Sequence, residues 1–393
     1  MKLNKTTGAA LAIGVAAAAA ALVVGVSPAH ADAKIIGADS KNAVSGQYIV
    51  AYEDGVKMSD GKSMASDVGA KVRKTFDSIN AVSVSASEEE AKELAGDSDV
   101  KYVQANLKHT VSGTQDNPPS WGQDRVDQEA AEGDSKYNYP DSAGEGVTSY
   151  TIDTGVAYDH PDFEGRTAEG FDAVDGDTDP ADGHGHGTHV TGTIAGTEFG
   201  LAKKATIVGV RVLDDQGSGT TEQVAGGIDW VTENHAENSV ANMSLGGPED
   251  QVLDDATTKS IESGVTYAVA AGNESSDACG VSPARVPEAI TAGATDNTDA
   301  QADFSNFGKC VDVYAPGVDI VSAAPGGGEA TMSGTSMASP HVAGAAALYV
   351  GANPGAAPAD VAKALTENAL KDVVQNPGEG SPNLLLNTQF LQG

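Results

Sequence analysis

The segment Gly146–Gly155, GVTSYTIDTG, is a short apolar run that ends in a small, glycine-containing turn. The same pattern returns in ATIVGVRVLD (205–214), SVANMSLGG (239–247), GVTYAVAAGN (264–273), EAITAGAT (288–295) and VDVYAPG (311–317). Helix-like patterns lie between or after these runs, at 188–197, 220–234, 252–263, 336–350 and 358–370. Apolar strands alternating with helices predict an α/β fold of three layers, a mainly parallel sheet with helices on both faces. Ligands of such sheets bind beyond the carboxyl ends of the strands.

A smaller unit precedes this pattern, at residues 32–110. Four short strands are predicted there, in GQYIVAY (46–52), AKVRKTF (70–76), NAVSVSA (80–86) and DVKYVQA (99–105). Ser87 and Glu90 have the spacing of a capping box and predict a helix that runs through Leu94. Strands and a helix in so few residues predict a small α+β unit. The prolines in SGTQDNPPSW (112–121) then mark a linker or the start of the larger domain, 111–393.

The first 31 residues have the pattern of a secretory signal peptide. Lys2 and Lys5 precede an apolar run at 9–26, and Ala29-His30-Ala31 offers a small-x-small cleavage site. A retained membrane anchor is the alternative, although the run is short for a bilayer span. The sequence therefore predicts a secreted protein that is free of the membrane after the signal is removed.

Charge and cysteine content limit the partners and the redox environment that the chain is expected to have. The full sequence carries 23 basic and 56 acidic residues, a net charge of −33. Nucleic acids and anionic membranes need a basic surface, so neither is an expected partner. The two cysteines, Cys279 and Cys310, are close in sequence, and export permits a disulfide between them, with two free thiols as the alternative.

Four polar residues sit at strand ends or helix starts, where the fold predicts the ligand site. Asp153 ends the strand in TIDTG, His186 precedes a helix in GHGTH, Asn273 follows a strand in AAGN, and Ser336 starts a long apolar helix. These residue types fill the roles of a serine hydrolase. His186 would take the proton of Ser336, Asp153 would orient the imidazole, and Asn273 with the Ser336 N–H would bind the oxyanion.

Two other functions fit parts of the pattern. ADGHGHGTHV (181–190) holds three histidines in six positions, which resembles a zinc-binding sequence except that Thr188 replaces the expected aspartate. The histidines at 160, 235 and 341 lack ligand-like spacing. A catalytically inactive binding protein on the same fold is the second alternative, and the complete set of Asp, His and Ser disfavours it.

The motifs TIDTGV, GHGTHV, SLGG, AAGN and GTSMASPHVAG resemble those of subtilisin-type serine proteases, nearest the proteinase K and aqualysin branch. This resemblance implies a subtilisin-like fold, a catalytic triad of Asp153, His186 and Ser336, and Asn273 as oxyanion donor. It also implies that residues 32–110 are a ferredoxin-like propeptide. The propeptide would act as an intramolecular inhibitor and folding aid, and the enzyme would remove it itself near residues 109–114. A monomer is expected.

The resemblance further implies how a protein or peptide substrate would bind. The substrate would lie as an extended strand between Gly217-Ser218-Gly219 and Ser244-Leu245-Gly246. The first specificity pocket would be formed by the four residues Ser244–Gly247 and by Ala270, Ala271 and Gly272. These residues are small and uncharged, so broad cleavage after apolar or aromatic residues is expected.

Structural calcium is the one cofactor that the resemblance implies. One site would use Pro287, Ala289 and Asp312, and a second would use Asp124, Asp127, Gln128 and Asp134. The second site departs from the family pattern, because Lys136 stands where a further ligand is expected. The pair Cys279 and Cys310 resembles a disulfide of aqualysin-like enzymes, whereas Val190 replaces a cysteine found in proteinase K.

Overall fold

The computed structural model describes residues 35–38, 40, 43–107 and 112–392. The chain divides into two compact units, with the boundary between His109 and Thr110. The predicted signal peptide at 1–31 lies outside the described residues, as do residues 108–111 of the predicted processing region. In the part of the chain that is described, no helix is both long and apolar enough to cross a membrane.

The N-terminal unit has the element order β-α-β-β-α-β. Its strands are β1 (Ala43–Tyr52), β2 (Lys71–Phe76), β3 (Ala81–Ser85) and β4 (Val100–Leu107), and its helices are α1 (Met58–Asp67) and α2 (Glu88–Ala95). The strands pair antiparallel in the order β2-β3-β1-β4, which is the ferredoxin-like arrangement. The capping box of Ser87 and Glu90 at the start of α2 is present as predicted. Helix α1 was not predicted.

The C-terminal unit is built on one large sheet. Its strands are β7 (Thr148–Asp153), β8 (Phe171–Asp172), β9 (Thr206–Arg211), β10 (Ser239–Met243), β12 (Thr266–Ala270), β14 (Ile290–Thr295), β15 (Val313–Pro316), β18 (Leu370–Lys371) and β19 (Leu384–Leu385). The order is β18-β19-β15-β14-β12-β10-β7-β9-β8, and within this sheet the described strands pair parallel except β18 with β19, which pair antiparallel. Strand order reverses at β7, since β9 lies on one side of it and β10 on the other. This switch point is where α/β sheets bind ligands.

Helices cover both faces of this sheet, as predicted. The helices are α3 (Trp121–Val126), α4 (His186–Ala195), α5 (Thr221–Asn234), α6 (Gln251–Glu262), α7 (Thr335–Ala352) and α8 (Pro358–Glu367). Residues of α4, α7 and α8 share one apolar core, and residues of α5 and α6 share another. Helix α7 is buried around nearly all of its circumference, and its many alanines and glycines let it pack closely against the sheet.

Three short antiparallel pairs complete the unit. They are β5 (Ser112–Asp116) with β6 (Lys136–Pro140), β11 (Gly247–Pro248) with β13 (Val281–Ser282), and β16 (Ile320–Ala324) with β17 (Gly328–Met332). Of the two interpretations of 112–121, a linker or the start of the larger domain, the second agrees with the structure, because 112–116 pair with 136–140 inside the C-terminal unit.

Candidate active site

Asp153 and His186 meet at the carboxyl end of β7. Asp153 is the last residue of this strand and is fully buried, and His186 is the first residue of α4. Asp153 Oδ1 lies 2.7 Å from His186 Nδ1 and also accepts the Thr154 N–H at 2.7 Å. Gly187 permits this approach, because a Cβ there would lie 2.1 Å from the Gly155 carbonyl oxygen. The aspartate therefore fixes the ring and leaves Nε2 to act as a base.

The electrostatics of the pair suit a general base. Burial lowers the pKa of the His186 imidazole, but the charge and hydrogen bond of Asp153, together with the charge of Asp182, raise the pKa above its ordinary value. A base of raised pKa holds the transferred proton more firmly, provided that the pH keeps the free imidazole neutral.

Asp182 organises the segment that leads into His186, and the sequence analysis did not identify it. Its Oδ1 accepts the N–H groups of His184 (3.0 Å) and Gly185 (2.7 Å) and the Thr154 hydroxyl (2.9 Å). Its Oδ2 accepts from the N–H (2.9 Å) and the hydroxyl (2.5 Å) of Thr188. One carboxylate thus joins the loop after β7 to the start of α4. A carboxylate four residues before a helix-starting histidine is the signal that would have pointed to it.

Ser336 is the second residue of α7, and its hydroxyl donates to the Ser244 carbonyl oxygen at 3.1 Å. Ser336 and His186 line the same cavity of about 600 Å³. Proton transfer to His186 requires the Ser336 hydroxyl hydrogen to leave the Ser244 carbonyl oxygen and turn toward His186.

The carbonyl group of Ser336 also has a special partner. Pro340, four residues later in α7, has no N–H to donate to this carbonyl, so one intrahelical bond is missing. The Ser244 hydroxyl donates to the Ser336 carbonyl oxygen instead, at 2.7 Å. The Asn242 side-chain amide donates to the Ser244 hydroxyl at 2.9 Å and completes the chain of bonds. Strand β10 thereby holds the start of α7 in place.

Asn273 has its side-chain amide fixed by Thr335. Asn273 Oδ1 accepts the Thr335 N–H at 2.8 Å and the Thr335 hydroxyl at 3.0 Å, so Nδ2 is left to donate elsewhere. A Cβ built on Gly334 would be 3.6 Å from the Ser336 nitrogen and 3.8 Å from Asn273 Nδ2. Two N–H donors therefore border one small space next to Ser336, the arrangement that stabilises an oxyanion.

A first cavity of about 330 Å³ adjoins Ser336. Most of the residues predicted for the first specificity pocket line it, namely Leu245, Gly246, Gly247, Ala270 and Gly272. Ala271 does not, because it is fully buried in an apolar cluster with Val311 and Tyr314. Ser244 lines the larger cavity instead. The sequence analysis missed six further lining residues: Pro248, Glu274, Ser276, Gly280, Val281 and Thr335.

The larger cavity holds the predicted substrate-binding segments. Gly217, Ser218 and Gly219 line it together with Ser244, Leu245 and Gly246. The three clustered histidines have different surroundings. His184 is exposed and lines this cavity, whereas His189 is buried and its Nε2 lies 3.0 Å from the Ile320 carbonyl oxygen. In the described parts of the chain, no group of three His, Cys, Asp or Glu side chains is arranged to hold a metal ion.

Among known protein families, residues 144–387 match the subtilase family. The chain belongs to the subtilase family. It is therefore a serine-type endopeptidase, as the motifs predicted. Residues 30–106 match the fervidolysin N-terminal prodomain, so this subtilase is a zymogen with a prodomain ahead of its protease domain.

Individual subtilases align with most of the chain. An extracellular serine proteinase of Thermus sp. (strain Rt41A) is 43% identical in a 385-residue alignment that covers 91% of this chain and 93% of that protein. Alkaline serine exoprotease A of Vibrio alginolyticus is 42% identical in a 362-residue alignment that covers 88% of this chain and 67% of that protein. The crystal structure of a cold-adapted subtilisin-like serine proteinase covers 68% of this chain and 97% of its own, at 50% identity and a TM-score of 0.67.

At each of the two predicted calcium sites, one carboxyl group lies in surroundings that suit a cation. Asp127 Oδ1 is buried and has no hydrogen-bond partner among the described residues. Burial, together with the charges of Asp124 and Asp134, raises the pKa of Asp127 to about 6, against the hydrogen bonds from Asn138. A cation would relieve this repulsion, so the residues fit the ion. The side-chain oxygens of Asp124 and Gln128 accept the Asp134 N–H, at 3.1 and 3.3 Å.

The other predicted calcium site centres on Asp312. Its Oδ2 accepts the Thr291 N–H at 2.8 Å, and burial raises the pKa of the carboxyl group to about 6. A largely buried acid with one hydrogen-bonded oxygen fits a site that a cation completes. The predicted partners Pro287 and Ala289 precede β14, and their contribution would be backbone carbonyl oxygens.

The structure contains the predicted disulfide, Cys279–Cys310, with a Cα–Cα distance of 5.3 Å. It connects the segment before β13 to the loop before β15. Cys279 directly precedes Gly280 and Val281, which line the first cavity. Val190, in the position where proteinase K has a cysteine, is fully buried in the apolar core.

Proposed function

We propose that the mature chain is an extracellular endopeptidase in which Asp153, His186 and Ser336 form the catalytic triad. The observation that carries this proposal is the 2.7 Å contact between buried Asp153 and His186, beside a cavity that Ser336 also lines. In this mechanism His186 Nε2 takes the proton of the Ser336 hydroxyl while Ser336 Oγ attacks the peptide carbonyl carbon. His186 then gives that proton to the leaving amine. Water then attacks the acyl-enzyme in the same way, with His186 as the base, and the acyl group is released from Ser336 as the serine regains its proton.

Asn273 Nδ2 and the Ser336 N–H would bind the oxyanion of each tetrahedral intermediate. The amide that Thr335 holds through two hydrogen bonds supports this role. A donor that is fixed before the charge develops does not need to reorganise during the reaction, and that is the source of its catalytic effect.

The first cavity would receive the substrate residue before the scissile bond. Its walls include Gly246, Gly247, Ala270 and Gly272, which leave room for a large apolar or aromatic side chain. Glu274 also borders this cavity, but it is an exposed residue whose Oε2 accepts from Asn306 Nδ2 at 2.9 Å. We therefore propose a broad preference for apolar and aromatic residues. The substrate strand would lie between Gly217–Gly219 and Ser244–Gly246.

The precursor would comprise a signal peptide at 1–31, a propeptide at 32–110 and a peptidase domain at 111–393. The match of 30–106 to a protease prodomain supports this division. The propeptide would inhibit the peptidase domain of its own chain, and that domain would cleave the propeptide off near residues 109–114. The mature protein would be a monomer that binds neither nucleic acid nor membrane, in keeping with the net charge of −33 of the full chain.

Calcium would be a structural ion, held by Asp312 with the carbonyl groups of Pro287 and Ala289. A second ion would bind Asp124, Asp127, Gln128 and Asp134. When bound, each ion would neutralise carboxylates whose negative charges are otherwise buried without a partner or repel one another. It would take no part in bond cleavage.

Expression of the full chain with Ser336→Ala tests the proposal. The expected product is an unprocessed precursor that does not hydrolyse casein, while the unaltered chain matures and hydrolyses it. Thr335→Ser, which keeps both donors to Asn273, is a matched control that should mature. Normal maturation of Ser336→Ala without added protease would contradict self-processing, and casein hydrolysis by it would contradict the catalytic role of Ser336.

A further inference from the structure

The larger cavity beside the triad is also lined by a carboxylate. Asp250, at the start of α6, lines it together with His186 and Ser336. Apart from the histidines at 184 and 186, it is the one ionisable side chain among the described residues that line this cavity. A cationic group bound there would therefore meet an acid and no competing lysine or arginine.

The negative charge of Asp250 is not neutralised by an ion pair. Its neighbours Glu249 and Asp254 both pair with Arg285, each at 2.6 Å. No ion pair within the described residues includes Asp250. Hydrogen bonds from the Thr221 hydroxyl and from the N–H groups that start α6 lower the pKa of its carboxyl group, so it stays ionised at neutral pH.

The remaining lining of the cavity is suited to a long aliphatic stem. Leu213, Val224 and Leu253 line it, and the last two are largely buried side chains. Lysine and arginine bury their methylene groups against apolar surface while their charged heads reach a polar partner. An apolar wall beside one carboxylate that has no ion-pair partner among the described residues matches that division better than it matches a wholly apolar side chain.

We propose that Asp250 is a specificity-determining residue, and that this cavity binds a lysine or arginine side chain of the substrate. That side chain belongs to a residue upstream of the one held in the first cavity. The inference rests on the proposed function, since it needs a peptide strand bound along Gly217–Gly219. It adds a charge preference to an enzyme whose first cavity selects by size and apolarity.

Peptide anilides of one series test this preference on enzyme matured from the full chain. Each carries phenylalanine before the scissile bond, and lysine, norleucine or glutamate at one of the three preceding positions. Norleucine has the apolar stem of lysine without its charge. At one position, kcat/KM for lysine should exceed that for norleucine by about two- to fivefold, the effect of a solvent-accessible ion pair. The ratio should fall toward one in 1 M salt.

Asp250→Asn should lower the lysine-to-norleucine ratio to about one. Asparagine still caps a helix, so α6 keeps its start while the charge is lost. Asp250→Glu retains the charge and should retain the preference. Asp255→Asn is the matched control, because it removes one charge from an exposed residue of α6 outside this cavity, and its ratio should equal that of the unaltered enzyme.

The outcomes separate this inference from the proposed function. If no peptide of the series is hydrolysed by the unaltered enzyme, the proposed function fails. If norleucine peptides are hydrolysed but lysine gives no advantage at any position, the inference is overturned. It is also overturned if Asp250→Asn keeps the preference, or if Asp255→Asn loses it to the same extent.

Discussion

A buried ion pair joins helix α3 to the loop between β14 and β15, and its removal tests how the protease domain is packed. Arg125 in α3 binds Asp299 through Nε–Oδ1 (2.7 Å) and Nη2–Oδ2 (2.9 Å), and its Nη1 donates to the Gln128 carbonyl oxygen at 3.0 Å. The two side chains are 3% and 6% exposed. Arg125→Met keeps the apolar stem but leaves the Asp299 carboxylate buried without its partner.

The magnitude follows from this geometry. A buried charge that loses its partner costs about 3–5 kcal/mol of the free energy of unfolding, and both short bonds put this pair in that class. The expected loss corresponds to a fall in Tm of roughly 6–15 °C for a domain of this size. Arg125→Met combined with Asp299→Asn leaves no buried charge, and should recover at least about 2 kcal/mol of the loss.

Thermal unfolding followed by circular dichroism measures these differences. The mature enzyme is first blocked with a phosphonofluoridate to stop autolysis, and calcium is held constant. Lys363→Met is the control, because it breaks an exposed pair with Glu367 at 3.9 Å and should shift Tm by less than about 2 °C. The reasoning is refuted if Arg125→Met unfolds within 2 °C of the control, or if the double variant is no more stable than Arg125→Met.

Three further predictions concern pH and calcium. Asp182→Asn removes a charge that raises the pKa of His186, so the acid limb of the kcat/KM profile should move to lower pH; an unmoved or higher limb would contradict this. Burial lowers the pKa of His341 to about 4. The neutral imidazole therefore contributes fully to the free energy of unfolding above pH 6.5, and up to about 3 kcal/mol of this free energy is lost as the pH falls toward 4. His341→Gln should flatten that dependence in urea titrations, and an equally steep one would count against it. Asp312→Asn should raise the calcium concentration that half-protects against thermal inactivation by about tenfold, with the exposed Asp360→Asn unchanged; equal values would contradict the site.

The layered fold and the Asp153–His186 contact were predictable because they depend on local patterns. Apolar runs bounded by glycine-containing turns mark the buried strands of a parallel sheet, and β7 ends at the predicted aspartate. The position of a strand end fixes which polar residues meet at one edge of the sheet.

Features that depend on distant packing were not predictable in the same way. Helix α1 has few apolar residues, and it is held by Tyr52, whose hydroxyl donates to the Gly61 carbonyl oxygen at 2.6 Å. Ala271 was assigned to the pocket with Ala270, but adjacent side chains of extended backbone point to opposite sides, and Ala271 enters the apolar core. The contacts of Thr335 with Asn273 depend on how distant loops meet at the site, which spacing alone does not reveal.

Covalent labelling tests the central claim most directly. A radioactive phosphonofluoridate should modify the mature enzyme at one site per chain, and peptide mapping should place the label on Ser336 as peptide hydrolysis is lost. His186→Ala, matured by added protease, should label at least about a hundredfold more slowly, since its serine lacks a base. Label on another residue, or hydrolysis that persists after Ser336 is fully modified, would contradict the account.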